Sequence, residues 1–126
     1  MTEHGTIYDA IGGAETVHHI VESLYDHIAI DKRLIPIFPE DFTFTKQKQY
    51  WFLTQFFGGP NLYLENRGHP MLRRRHLEFE ITDERKVAWL ECMDKALEEA
   101  NVEEPYRSAI FERLTMTAEH MVNSRQ

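Results

Sequence analysis

The chain has 126 residues, enough for one domain around one core. Its 14 Lys and Arg face 21 Asp and Glu, giving a net charge of −7 and a pI near 5.4, which argues against a general binder of nucleic acid or anionic membrane, since either needs a positive face. The single cysteine, Cys92, rules out an intramolecular disulfide and fits a reducing cytoplasm. Residues Met1 to Tyr8 are polar and show no secretory signal, and no stretch approaches the roughly 18 apolar residues of a membrane span.

Ile7 to Ile11 reads as a short first helix, and Gly12-Gly13 breaks the chain after it. From about Ala14 to Ile30, Val17, Ile20, Val21, Leu24, Tyr25 and Ile28 keep helical spacing, with Tyr25 on the buried side and His18 and His19 solvated. Asp31 to Pro39 is apolar and interrupted by Pro36 and Pro39, so a turn of helix and a corner are expected, with Phe38 against the core. A second long helix runs from Thr43 or Phe44 to Phe57. Its stripe Thr45, Gln49, Phe52 and Phe56 is polar at one end and apolar at the other. The polar pair either finds partners inside or lies at an exposed end. Gly58-Gly59-Pro60 caps and ends that helix; no Gly-Lys-Ser/Thr follows, so it is not a phosphate loop.

Asn61 to His69 is expected to be an irregular connection, and Pro70 to Phe79 a short helix with Leu72, His76 and Phe79 on one face. A histidine so placed is either a satisfied core residue or a ligand aimed into an apolar pocket. Thr82 is a plausible N-cap, with Asp83 and Glu84 complementing the dipole of a helix that runs to about Ala100. That helix carries Trp89, Met93, Ala96 and Leu97 on one face. Pro105 opens a last helix whose stripe is Ile110, Leu114, Thr117 and Met121. No alternating β-branched run competes with these patterns, so the chain reads as all-α.

Several chemistries fit poorly. A di-iron bundle needs two Glu-x-x-His pairs, and only Glu15-x-x-His18 exists. Zinc wants clustered Cys and His, whereas Cys92 is alone and His69 and His76 are seven apart. A Cys/His hydrolase needs an exposed, activated thiol, and Cys92 falls in mid-helix. A haem pocket accounts for more. It needs one imidazole ligand, and His76 is a candidate. It needs an apolar slot, for which Phe38, Phe52, Phe56, Leu72 and Phe79 are available. It needs cations for two propionates, such as Lys48 and Arg75, and distal donors, such as Tyr25, Thr45, Gln49 and Trp89.

Taken in order, Tyr8-Asp9-Ala10-Ile11-Gly12-Gly13, Tyr25, Phe38-Pro39, Phe57-Gly58-Gly59-Pro60, Arg67-Gly68-His69-Pro70, Arg75-His76 and Trp89 resemble a truncated haemoglobin of the second group. The resemblance spans nearly the whole chain and implies one truncated-globin domain over residues 1–126, with a globin-like two-over-two helical sandwich and a short proximal helix. It implies haem b (iron protoporphyrin IX), with His76 as the iron ligand. Tyr25, Thr45, Gln49 and Trp89 fall on the gas-facing positions, and Phe38 on the corner over the haem. The family's propionate contacts fall on Lys48 and Tyr63, and Arg75 joins them. Where some members carry a corner tyrosine this chain has Phe38, so any network using that hydroxyl is absent here, and Thr45 stands where vertebrate globins place a distal histidine.

A gas polarised by ferrous haem gains negative charge, so donors aimed at it strengthen binding, each by roughly 1.5–3 kcal/mol. The first reading is therefore an oxygen-binding protein that takes up dioxygen and other diatomic gases tightly. The second is an enzyme consuming nitric oxide or peroxide with a separate reductase. Peroxidase chemistry usually wants a distal histidine, and none is placed there. The third is a haem-free helical interaction module. No side chain is given a catalytic role. The expected protein is cytoplasmic, a monomer or weak homodimer, with no nucleic-acid partner and no membrane span.

Overall fold

A computed structural model describes residues 5–124. The polar start read as lacking a signal lies partly outside that range, at Met1 to His4. Helix α1 (Ile7–Ile11) begins at Thr6, whose hydroxyl accepts from Asp9 N–H at 3.0 Å. Gly12 ends it at φ 116, a left-handed conformation that suits a residue without Cβ. Helix α2 (Gly13–Ile28) follows directly and buries Val17, Ile20, Val21, Leu24 and Ile28. A 3₁₀ turn (Ile35–Ile37) then makes the expected corner.

Helix α3 (Thr43–Phe56) starts where the Asp41 carboxylate accepts from Thr43 N–H at 2.9 Å. Helix α6 (Asp83–Glu99) is capped by Thr82, whose hydroxyl accepts from Arg85 N–H, as its sequence predicts. Helix α7 (Tyr106–Met121) closes the set. α2 packs on both α3 and α6, and α6 on α7. Ala88 and Ala96 are fully buried on α6, so small side chains at this spacing let the two backbones approach. Among the described residues there is no strand, only an isolated bridge between Thr82 and Ser124, and no helix is long and apolar enough to cross a membrane.

Two expectations need correction. Asn61 to His69 is not irregular: it contains helix α4 (Leu62–Arg67). The Gln55 side-chain oxygen accepts from Leu64 N–H at 2.8 Å and satisfies one of the donors at that helix start. The helix expected from Pro70 to Phe79 is only α5 (Leu72–His76). Met71 enters it in a left-handed conformation, φ 42, which excludes Pro70 from the helix. Beyond His76 the chain turns away. The Asn123 side-chain amide donates to the carbonyls of His76, at 3.3 Å, and Phe79, at 2.9 Å. Phe79 is therefore outside the helix and exposed, and does not share its face.

Five residues make a marginal helix alone. α5 is held by side chains instead. Arg75 Nε donates to Pro70 O and its Nη2 to Arg67 O. Arg73 Nη1 donates to His120 O and Val122 O. Ile81 N–H donates to the Asn123 side-chain oxygen, and Asn123 N–H donates back to Ile81 O. Residues 120–123 therefore clasp the segment from Arg73 to Ile81.

Candidate functional site

His76 is half-buried on α5, and its Nδ1 lies 2.6 Å from Leu72 O. The carbonyl can only accept, so Nδ1 carries the proton and Nε2 keeps a free lone pair. That is the tautomer a metal-binding imidazole needs, with the ring orientation set by its own helix. His69, the rival histidine, is exposed on the loop before Pro70.

The polar end of the α3 stripe meets α2. Tyr25 is 2 % exposed, and its hydroxyl donates to Gln49 Oε1 at 3.3 Å. Burial pushes the Tyr25 phenol well above its ordinary value, so it remains a protonated donor. Its ring packs edge-on against Phe42 and Phe38, with centroids 5.2 and 6.0 Å away. A buried tyrosine hydroxyl needs an acceptor, and here the Gln49 side-chain amide oxygen supplies it. Thr45, Phe52 and Phe56 are half-buried, although they lie on the same inward stripe. The fully buried residues of α3 are Leu53 and Thr54, on a different face. Phe52 meets Tyr63 edge-on at 6.0 Å. Leu72 is also half-buried.

Trp89 is half-buried on α6 beside the core cluster. Among the described residues its indole N–H has no hydrogen-bond partner, so the structure brings Tyr25 and Gln49 together but does not bond Trp89 to either.

Beside the same N-terminal half of α3, Lys48, Arg67 and Arg75 converge. Lys48 Nζ lies 4.8 Å from the Phe44 ring centroid, the Arg67 guanidinium 5.7 Å from the same ring, and Arg75 sits over Tyr63 at 5.6 Å. Burial first, and repulsion from Arg67 and Arg75 second, hold the Lys48 ammonium below its ordinary value. Arg67 Nε is buried and, among the described residues, has no hydrogen-bond partner. Arg75 gives its Nε and Nη2 to carbonyls but keeps its charge. Among the described residues no carboxylate pairs with any of the three, whereas Lys46, Arg33, Lys86 and Arg107 all have acidic partners. Three uncompensated cations around one partly dry edge are costly unless an anion joins them. Sequence reasoning missed Arg67 in this role, because nothing in Glu65-Asn66-Arg67 distinguishes a buried guanidinium from a solvated one.

Cys92 is 4 % exposed, with Sγ 3.9 Å from Asp31 Oδ2. Burial and the Asp31 charge push its thiol up to about 11, which removes it as a nucleophile at neutral pH.

A family model described as bacterial-like globin matches residues 6–123. Over 116 residues the chain is 51% identical to the group 2 truncated hemoglobin YjbI of Bacillus subtilis (strain 168), covering 92% of this chain and 87% of that protein. Its structure matches the group II truncated hemoglobin from Bacillus anthracis with a TM-score of 0.96 at 48% identity, over 99% of this chain and 96% of that one. It matches a structure described as truncated oxygen-avid haemoglobin from Bacillus subtilis with a TM-score of 0.91 at 50% identity, over 94% and 100% of the two chains. With a two-over-two helical fold and a profile match that spans nearly every described residue, the chain belongs to the bacterial-like globins and, within them, to the group II truncated haemoglobins, a family that binds haem.

Proposed function

We propose that this chain holds one non-covalent haem b on His76 and binds dioxygen tightly and reversibly. The observation that carries the reading is the Nδ1–H of His76 fixed on Leu72 O, which leaves Nε2 as a metal ligand. The cofactor's other needs fit the residues present. Among the described residues Lys48, Arg67 and Arg75 lack carboxylate partners and the buried Arg67 Nε has no hydrogen-bond partner, which suits two propionates. Tyr63 and the half-buried Phe38, Phe52 and Leu72 supply apolar walls. With a single cysteine no Cys-x-x-Cys-His attachment exists.

Bound haem supplies a ferrous centre that takes up diatomic gases and shifts electron density onto them. The protein's part is to place hydrogen-bond donors and exclude water. Tyr25 keeps its proton because its phenol is buried. Gln49 accepts from Tyr25 through Oε1 and has both amide N–H groups left to give. Trp89 offers an indole N–H that nothing in the described chain uses. Thr45 lies one turn before Gln49 and completes the polar end of the stripe. Donors matched to a partly anionic gas slow its escape, which supports oxygen binding over simple structural roles for these side chains. The relative in Bacillus subtilis described as oxygen-avid agrees with this direction.

We assign residues 1–126 to one such domain, acting in the cytoplasm as a monomer or weak homodimer. The runner-up, an enzyme that consumes nitric oxide, uses the same pocket and adds a separate reductase. Reconstitution with haem followed by visible spectra of the reduced protein tests the proposal. A five-coordinate ferrous spectrum that shifts with oxygen and returns when oxygen is removed is expected. Failure to retain iron porphyrin overturns it.

A further inference from the structure

The outer face of α5 forms a groove with α7, lined among others by Met71, Leu72, Arg73, Arg74, Met116 and His120. We propose that this groove docks a small, acidic, one-electron carrier protein that reduces the haem from the proximal side. The inference rests on the haem reading above and names the kind of partner that would serve it.

Charge is the first argument. The chain carries −7 overall, yet among the described residues neither Arg73 nor Arg74 has a carboxylate partner. Arg73 spends its Nη1 on two carbonyls at the end of α7, which leaves its positive charge intact. The Arg74 side chain is exposed and makes no bond within the described chain. An acidic partner is repelled by most of this surface and attracted here, so the field itself selects the approach.

Shape is the second argument. Met71 is 51 % and Met116 70 % exposed, and the two line the groove beside the arginines. A small apolar centre with charge beside it gives a brief, specific contact, and electron-transfer encounters sit at the small end of interface sizes. Methionine side chains adapt to a partner's surface without a fixed mould.

Position is the third argument. Leu72 lines the groove, and its carbonyl accepts the Nδ1–H of His76. A carrier seated on the groove is therefore linked to the proximal imidazole through one residue, Leu72, and one hydrogen bond. The step balances simply: the carrier is oxidised by one electron as ferric iron becomes ferrous, with no bond broken and no proton moved.

The test uses oxidised plant-type [2Fe–2S] ferredoxin titrated against the ferric, haem-loaded protein at low salt, followed by NMR line broadening. Reduction by dithionite-reduced ferredoxin is timed in stopped flow. Arg74→Glu should weaken binding and slow reduction by roughly tenfold or more, with the effect fading as salt rises. Met116→Asp should act likewise. Lys95→Glu, an equal charge reversal on α6, should change little. All three variants should keep the haem spectrum and the oxygen release rate of the parent. Equal effects of Arg74→Glu and Lys95→Glu, no effect of Arg74→Glu, or no ferredoxin binding at all would each overturn the proposal. So would a dimer of this chain that Met116→Asp dissolves, because a second copy would then own the face. Titration of the haem-free chain separates the two failures: loss of haem uptake with ferredoxin binding retained sinks the function and leaves the docking face standing.

Discussion

Along the α2–α6 seam Val17, Ile20, Leu24 and Ile28 meet Ala88, Met93, Ala96 and Leu97, and all eight are fully buried. On the α3–α5 side the inward stripe Thr45, Gln49, Phe52 and Phe56 stays half-buried, and His76 and Leu72 do too. The electrostatics divide the same way. His27 and Glu99 join α2 to α6 at 3.0 Å, Arg33 bridges Asp31 and Glu91, and Lys86 ties α6 to Glu119 of α7. Lys48, Arg67, Arg73, Arg74 and Arg75 have no such acidic partner among the described residues. One half of the molecule is completed by its own side chains. The other leaves apolar walls and positive charge that a flat, dianionic cofactor would complete.

If that division is right, variants on the two sides should fail differently. The largest effect is expected at His76. His76→Ala should abolish the five-coordinate ferrous spectrum while His69→Ala leaves it nearly intact; the reverse would move the ligand role to the loop. Next comes the sealed seam. Leu24→Ala should cost about 2–5 kcal/mol in urea unfolding, with or without haem. Phe52→Ala should cost the haem-free chain clearly less and show itself chiefly as faster haem loss. Equal destabilisation of the haem-free chain by both would erase the distinction.

The third effect is in gas release. Trp89→Phe deletes one donor and should speed oxygen dissociation by up to roughly a hundredfold, corresponding to about 1–3 kcal/mol, with much less change for carbon monoxide. Tyr25→Phe should act in the same direction. Because Tyr25 already bonds Gln49, the pair Tyr25→Phe and Gln49→Leu should fall short of the product of the two single effects. Equal acceleration for both gases would make Trp89 a packing residue only.

The smallest effect concerns acid. The Arg33 side chain, bonded to Asp31, holds that carboxyl below its ordinary value of 3.8. A lowered folded value means stability that is present above the ordinary carboxylate range and lost as pH falls through the depressed one. Asp31→Asn should therefore lower Tm modestly at neutral pH and flatten its decline in acid. Tm measured at several pH values checks this, and an unchanged acid limb would show that the bridge contributes nothing to the seam.

The sequence makes the sealed half far more legible than the open half. Val17 to Ile28 and Trp89 to Leu97 repeat at helical spacing over several turns, although the structure half-buries Trp89 and buries its neighbour Ala88, and Thr82 announces its helix with a cap that the fold uses. Helix α4, from Leu62 to Arg67, is too short for periodicity to register, and its start is satisfied by Gln55, outside the helix itself. The spacing of Leu72, His76 and Phe79 predicts a helix that runs on to Phe79, because it carries no sign of the Asn123 amide that turns the chain away. The individual candidates were readable as residue types on helical faces, Tyr25 with Gln49 above all. The convergence of Arg67 with Lys48 and Arg75 is a long-range fact that local pattern does not contain.

The clasp made by residues 120–123 also bears on when the segment around His76 can settle. A nascent chain emerges in order, and the segment from Arg73 to Ile81 leaves the ribosome some forty residues before the groups that hold it. Until Asn123 is free to reach the carbonyls of His76 and Phe79, the five-residue helix has only the local bonds of Arg75 to Pro70 and Arg67 to fix its direction. The sealed seam between α2 and α6 needs nothing beyond Glu99 and can form earlier. On the haem reading proposed above, the imidazole of His76 takes its final setting only after the hydrophobic core is in place, because the groups that clasp its segment come from the end of α7 and the residues after it.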